Sequence, residues 1–201
     1  SASWSKHVRL PYVLLGRPGT YGSSGEHAKR RTPHEIAVVS SALDAIKARH
    51  GYGRLHLIGH TEGGHTAAAL LPLRNDIGCV VLASALVSVR AYLAELGTDK
   101  DFTGNKNPLD PIDSVDRIAK GADLRIFILT DPDDVIVSAR SQTTYANRLI
   151  AGGLPARQIF AAASGLSSHA LFRQAHQVAA ACAKGVEGEK IVAAYQDKVP
   201  D

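Results

Sequence analysis

The sequence predicts an α/β domain, a mostly parallel sheet with helices on both faces. Three observations predict it. Short β-rich apolar runs alternate with amphipathic helical stretches along the chain, as connections over a buried parallel sheet require. The 201 residues are 45% hydrophobic and 21% charged, enough apolar content to bury the core of a single soluble domain. No internal repeat, low-complexity tract or linker interrupts the alternation, so residues 1–201 are read as one domain.

The first strand is expected at residues 11–15, Pro-Tyr-Val-Leu-Leu, and a glycine-rich loop follows over residues 16–25. Thr32 offers an N-cap hydroxyl, Pro33 a preset φ at the first helical position, and Glu35 a carboxylate at N3, the pattern of a capping box. Ile36, Val39, Ala42, Leu43 and Ile46 then recur at helical spacing until Gly51 ends the run. The second strand is residues 54–59, followed at once by a turn and a helix over 63–71. The third strand is 79–85. Residues 87–113 are less regular, with a helix over 90–96 and a loop over 101–111. The fourth and fifth strands cover 124–129 and 158–163, and helices over 139–151 and 170–183 follow them. Residues 185–201 are read as a C-terminal tail or a last, loosely packed helix. In such a sheet the loops at the carboxyl ends of the strands carry the site.

Composition excludes several classes of protein. There are 23 basic and 19 acidic residues, a net charge of +4. The densest basic run, Lys29-Arg30-Arg31, precedes a helix start and leads into no aromatic–basic alternation. It is read as a solvated face, and no nucleic-acid partner is expected. The longest nearly apolar run, residues 77–87, falls far short of the roughly 20 residues of a membrane span, so no membrane partner is expected either. Cys79 and Cys182 are too few for a disulfide scaffold and lack metal-ligand spacing; they are read as two small buried hydrophobes. His60 and His65 stand five apart without an H-E-x-x-H pattern, so no metal and no cofactor is expected. The sequence contains no methionine. Either an initiator was removed ahead of Ser1, or Ser1 is a new end made by processing or design. The compartment stays open between the cytoplasm and, after a removed signal, the periplasm or outside.

Chemistry gathers after the second strand, at Gly59-His60-Thr61-Glu62-Gly63-Gly64. This is the strand–turn–helix pattern G-x-S-x-G with threonine in the serine position. Gly59 and Gly63 are both expected to be required, because a strained tight turn leaves no room for side chains on either side. An acidic cluster, Thr130-Asp131-Pro132-Asp133-Asp134-Val135-Ile136-Val137, follows the fourth strand. Gly165-Leu166-Ser167-Ser168-His169 follows the fifth. A carboxylate and a histidine on neighbouring loops form the relay that activates a hydroxyl.

In these motifs the chain resembles the α/β-hydrolase superfamily, from Pro11 to about Ala183. The resemblance implies Thr61 as nucleophile, His169 as base and one aspartate behind it. The usual acid motif is aspartate, two residues, valine, proline. Asp134 fits with Val137 and Ser138, and Asp133 fits with Ile136 and Val137; Asp134 is preferred and Asp133 is the alternative. The backbone N–H of Glu62 would form half of an oxyanion hole. The loop over 16–25 would shape the rim of the site, or Arg17 would bind a substrate carboxylate. Residues 87–113 lie where lids are inserted but are too short for a large cap. His176, seven residues after His169 on one helix face, is read as packing. The implied activity is hydrolysis of an ester or an amide or peptide bond through an acyl-enzyme, with a small-molecule ester or a peptide as substrate.

Two departures stand out. Threonine adds a β-methyl that restricts χ1 in an already strained turn. It reads as a slow natural nucleophile, a degenerate site or an engineered exchange for serine. The degenerate reading makes the chain an impaired or inactive hydrolase-fold protein acting in binding or assembly. The second departure is architectural. In the superfamily three strands precede the loop that corresponds to residues 16–25, whereas only about ten residues precede the first strand here. A core lacking its first strands would expose a sheet edge. An N-terminal companion chain from the same precursor, released by proteolytic processing, is expected to cover it; a minimal trimmed hydrolase is the alternative.

Overall fold

Four of the five expected strands form. The computed structural model describes residues 10–121 and 123–198. Its helices are α1 (Pro33–His50), α2 (Glu62–Leu70), α3 (Val89–Glu95), α4 (Ala139–Ala151), α5 (Phe172–Ala183) and α6 (Gly188–Tyr195), and its strands are β1 (Leu55–His60), β2 (Ile77–Ala83), β3 (Arg125–Thr130) and β4 (Ala156–Phe160). The strands pair in the order β1-β2-β3-β4, all parallel.

The period-2 alternation of β2 and β3 divides the core between two layers. Val80, Leu82, Ile126 and Ile128 face α2 and α4, where Ala67, Ala68, Tyr145 and Leu149 complete one cluster. Val81, Phe127 and Leu129 face the other way, onto Ala175, Val178 and Ala179 of α5 and Ile191 of α6. Every residue of β2 is buried, which explains why that strand reads as a continuous apolar run.

Local signals place α1. Thr32 caps it by accepting from the Glu35 N–H at 3.2 Å, and Gly51 ends it at φ +68°. Only half of the capping box closes. The Glu35 carboxylate accepts from the Arg31 N–H at 2.7 Å and from Arg17 Nε at 2.9 Å. These bonds tie the loop over residues 16–31 to the start of the helix.

Three expectations need correction. Residues 11–15 form no strand and pair with nothing in the sheet, because β-propensity does not by itself supply a ladder partner. They line a cavity of about 460 Å³ along β1, together with Val39, Leu57, Ala67 and Leu70. His169 and His176 share no helix face, since α5 begins only at Phe172. Cys79 and Cys182 are not independent hydrophobes. Both are buried, and they form a disulfide joining β2 to α5 across 103 residues. Among the described residues no helix is long and apolar enough to cross a membrane.

Candidate active site

Thr61 sits at the bend between β1 and α2 with φ +52° and ψ −112°. A non-glycine residue in that region carries strain on the order of 1–3 kcal/mol, and β-branching aggravates it. The bend persists because its backbone is tied on every side. The Thr61 N–H donates to Ala83 O at 3.2 Å, and Thr61 O accepts from His65 N and Leu86 N, each at 3.2 Å.

Close approach requires glycine at two positions, one of them expected. A Cβ on Gly59 would lie 2.3 Å from Gly63 O, and one on Gly64 would lie 2.3 Å from Ala85 Cβ. A Cβ on Gly63 would meet nothing within 4 Å. The second steric requirement therefore falls on Gly64, where α2 packs against the end of β2, and not on Gly63.

The loops after β3 and β4 bring the other groups to this bend. Thr61 Oγ1 lies 2.6 Å from His169 Nε2. His169 Nδ1 lies 2.8 Å and 3.0 Å from the two carboxylate oxygens of Asp134. The Asp134 side chain is fully buried, and that of His169 is 12% exposed. Asp134 is fixed in turn by the N–H groups of Ile136 and Val137, which donate to Oδ1 at 2.9 and 3.0 Å. Val135 N donates to Ser167 O at 3.1 Å and ties the acidic loop to the histidine loop.

The two aspartates before Asp134 share Lys198 and do not reach His169. Asp131 accepts from Ala163 N at 2.7 Å and from Lys198 Nζ at 2.7 Å. Asp133 points outward to Lys198 Nζ at 2.6 Å, with its side chain 72% exposed. The structure thus brings Asp134 to His169 and leaves Asp133 at the surface.

Glu62 occupies the first position of α2, where a backbone N–H has no helical acceptor. Its side chain enters a cluster that sequence reasoning missed. Arg31 belongs to the basic run read as solvated, yet it is 2% exposed. Its guanidinium bonds to Glu62 and to the buried Asp101. Burial opposes charge on Glu62, but the hydrogen bonds and charge of Arg31, with help from Arg17, outweigh it and hold the carboxyl below the usual carboxylate range. A buried cation needs such partners, and one of them lies 70 residues away, beyond the reach of local pattern reading. Arg17 also departs from expectation. Its guanidinium pairs with Glu35 at 2.7 Å and with Glu62 at 3.7 Å, which ties it into the scaffold instead of leaving it for a substrate carboxylate.

The same cluster fastens residues 101–110 over the turn. Leu109 N donates to Arg31 O at 2.8 Å, and His65 Nε2 donates to Leu109 O at 2.8 Å. Burial keeps the His65 pKa below the ordinary imidazole value. Asp110 caps α3 by accepting from Val89 N and Arg90 N, both at 3.0 Å.

His60 is the remaining group that sequence reasoning passed over, although it is the x of G-x-T-x-G. Its Nδ1 lies 2.9 Å from Thr61 Oγ1 and its Nε2 lies 2.8 Å from His169 O. No group of three or more metal-ligand residues gathers among the described residues.

A four-stranded parallel sheet with helices on both faces now carries a strained hydroxyl, an imidazole and a buried carboxylate at the carboxyl ends of its strands. No family model and no curated protein sequence matches the chain. Solved structures do. An esterase of Pyrococcus furiosus aligns at 16% identity and a TM-score of 0.61, over 81% of this chain and 66% of that one. The acylaminoacyl peptidase of Pyrococcus horikoshii aligns at 13% and 0.60, over 86% of this chain and 30% of that one. A puromycin hydrolase aligns at 15% and 0.57, over 76% and 26%. This chain therefore has an α/β-hydrolase fold, with four parallel strands among the described residues. It spans just under two thirds of the length of the Pyrococcus furiosus esterase.

Proposed function

We propose that the chain is a hydrolase that cleaves a carboxylic ester or an amide bond through an acyl-enzyme on Thr61. The observation that carries this reading is the unbroken line from Thr61 Oγ1 to His169 Nε2 at 2.6 Å, and from His169 Nδ1 to the buried Asp134 at 2.8 Å. Thr61 Oγ1 attacks the substrate carbonyl carbon and gives its proton to His169 Nε2. Asp134 fixes the tautomer and stabilises the imidazolium. The Glu62 N–H and the positive end of α2 face the developing oxyanion. His169 returns the proton to the departing alcohol or amine. Water, deprotonated by His169, then attacks the acyl carbon, and Thr61 leaves with the proton restored. The esterases and peptidases that share the fold support the class of reaction and leave ester and amide both open. The substrate is a small ester or a peptide.

A fluorophosphonate probe tests this directly. Labelling is expected in the wild type and is lost in Thr61→Ala and His169→Ala. Thr61→Ser, freed of the β-methyl, is expected to hydrolyse a 4-nitrophenyl ester at least about tenfold faster. Labelling that survives Thr61→Ala overturns the assignment. An unlabelled wild type leaves the impaired, binding-type reading in its place.

The open edge of the sheet supports a partner as well. β1 pairs on one side only among the described residues, and its outer side faces the mostly apolar cavity lined by Leu15, Leu55 and Leu57. We propose that a strand of a companion polypeptide covers this edge, as exposed edges otherwise invite association. Light scattering of the chain alone is expected to show self-association. A stable monomer with full activity overturns the proposal.

A further inference from the structure

The nucleophile has two imidazoles on its one hydroxyl, and its proton cannot serve both. His60 Nε2 lies 2.8 Å from His169 O. A carbonyl only accepts, so Nε2 carries the His60 proton and Nδ1 of the neutral ring is a bare acceptor. That acceptor lies 2.9 Å from Thr61 Oγ1. His169 is fixed in the same way: Asp134 takes its Nδ1–H, which leaves Nε2 as a second acceptor 2.6 Å from the same oxygen. We propose that His60 is a positioning residue that competes with His169 for the Thr61 hydroxyl proton and holds the nucleophile in a resting arrangement. The proposal rests on the reading of Thr61 as nucleophile.

Donor counting gives the direction of the effect. With His169 protonated, its Nε2–H donates to Thr61 Oγ1, the Thr61 O–H donates to His60 Nδ1, and every polar group is satisfied. With His169 neutral, one of the two nitrogen lone pairs faces the hydroxyl oxygen without a proton between them. With both rings neutral the single hydroxyl proton can face only one of the two acceptors, and while it faces His60 it is not placed for transfer to His169. During acylation Thr61 Oγ1 loses its proton to His169 and has none left for His60. The contact with His60 is thus made in the resting state and forfeited in the transition state, so it slows turnover without aiding binding.

The surroundings keep His60 neutral enough for this role. Burial lowers its pKa; its bond to His169 O and the charge of Asp134 oppose that, and the charge of His169 reinforces it. Those are the titratable groups that act on the ring. From α5 it meets the apolar ring of Phe172, with centroids 4.1 Å apart.

His60→Phe keeps a ring against Phe172 and removes both nitrogens. On a 4-nitrophenyl ester this variant is expected to raise kcat about 2- to 10-fold, the equivalent of one hydrogen bond, with KM unchanged. A kcat that is unchanged or falls overturns the proposal. The Thr61→Val comparison is read by NMR of 15N-labelled protein, without turnover, so absent ester hydrolysis would count against the proposed activity and not against this competition. Should His60→Phe fail to fold, Thr61→Val gives the deciding comparison. Without the hydroxyl, the His60 Nδ1 signal is expected at the position of an unbonded nitrogen, and an unmoved signal overturns the proposal.

Discussion

Asp134→Asn is expected to lower kcat on a 4-nitrophenyl ester by roughly 10,000-fold while the protein stays folded. The reason lies in how the carboxylate is held. Oδ1 accepts from Ile136 N at 2.9 Å and from Val137 N at 3.0 Å. In the amide only the carbonyl oxygen can take those two bonds, so it must occupy the Oδ1 position. The NH₂ group is thereby directed to the Oδ2 position, 2.8 Å from His169 Nδ1, where it can only donate. His169 must then carry its proton on Nε2, pointed at Thr61 Oγ1, and it can no longer remove the hydroxyl proton. Because the side chain is fully buried, exchanging a charge for an isosteric amide leaves packing unchanged. Asp133→Asn is the internal control. Its carboxylate is exposed and pairs with Lys198, an interaction worth little in water, and less than a twofold change is expected. Parallel thermal melts establish that both variants are folded. An Asp133→Asn loss exceeding that of Asp134→Asn would reverse the assignment of the acid.

What the sequence revealed and what it hid divide along the range of the interactions. Thr32, Pro33, Glu35 and Gly51 act within one or two turns of helix, and α1 begins and ends where they put it. The bend at Thr61 is also local, since Gly59, the preceding strand and the following helix lie within a few residues of one another. Arg31 is different. Its chain neighbours Lys29 and Arg30 read as a solvated run, and only Glu62 and Asp101, 31 and 70 residues along the chain, turn it into a buried, paired cation. Gly64 was missed in favour of Gly63 because the atom that excludes a Cβ there belongs to Ala85, just past the end of β2 and outside the motif. Residues 11–15 have strand-like composition, but a strand also needs a neighbour, and composition does not name one. His60 was passed over because the motif leaves its position free. Only the distances to Thr61 and to His169 O make it part of the site.

Removing the disulfide is expected to cost stability and leave the site intact. Cys79 near the start of β2 and Cys182 near the end of α5 close a loop across 103 residues. Cross-linking a loop of that length restricts the unfolded chain by up to about 5 kcal/mol in the chain-entropy account, and losing a native bridge typically costs about 2–5 kcal/mol. The pairing replaces two independent apolar packings by one covalent tie between the sheet and the helix that leads out of the histidine loop. Ala substitution at both positions also leaves a small void in a cluster where Cys79 and Cys182 are 1% and 0% exposed, which adds to the loss. Effects on chemistry should be small, because Thr61 is tied to Ala83 at the opposite end of β2, about 13 Å along the strand from Cys79. Urea unfolding of the Cys79→Ala/Cys182→Ala protein is therefore expected to show a lower midpoint than the wild type, with fluorophosphonate labelling in the absence of urea at the wild-type rate. Reductant added during unfolding of the wild type should shift its midpoint in the same direction and have no effect on the variant. Coincident midpoints with and without reductant would show that the tie contributes nothing to stability. A labelling rate that fell with the midpoint would show that the sheet transmits its loss to the bend at Thr61.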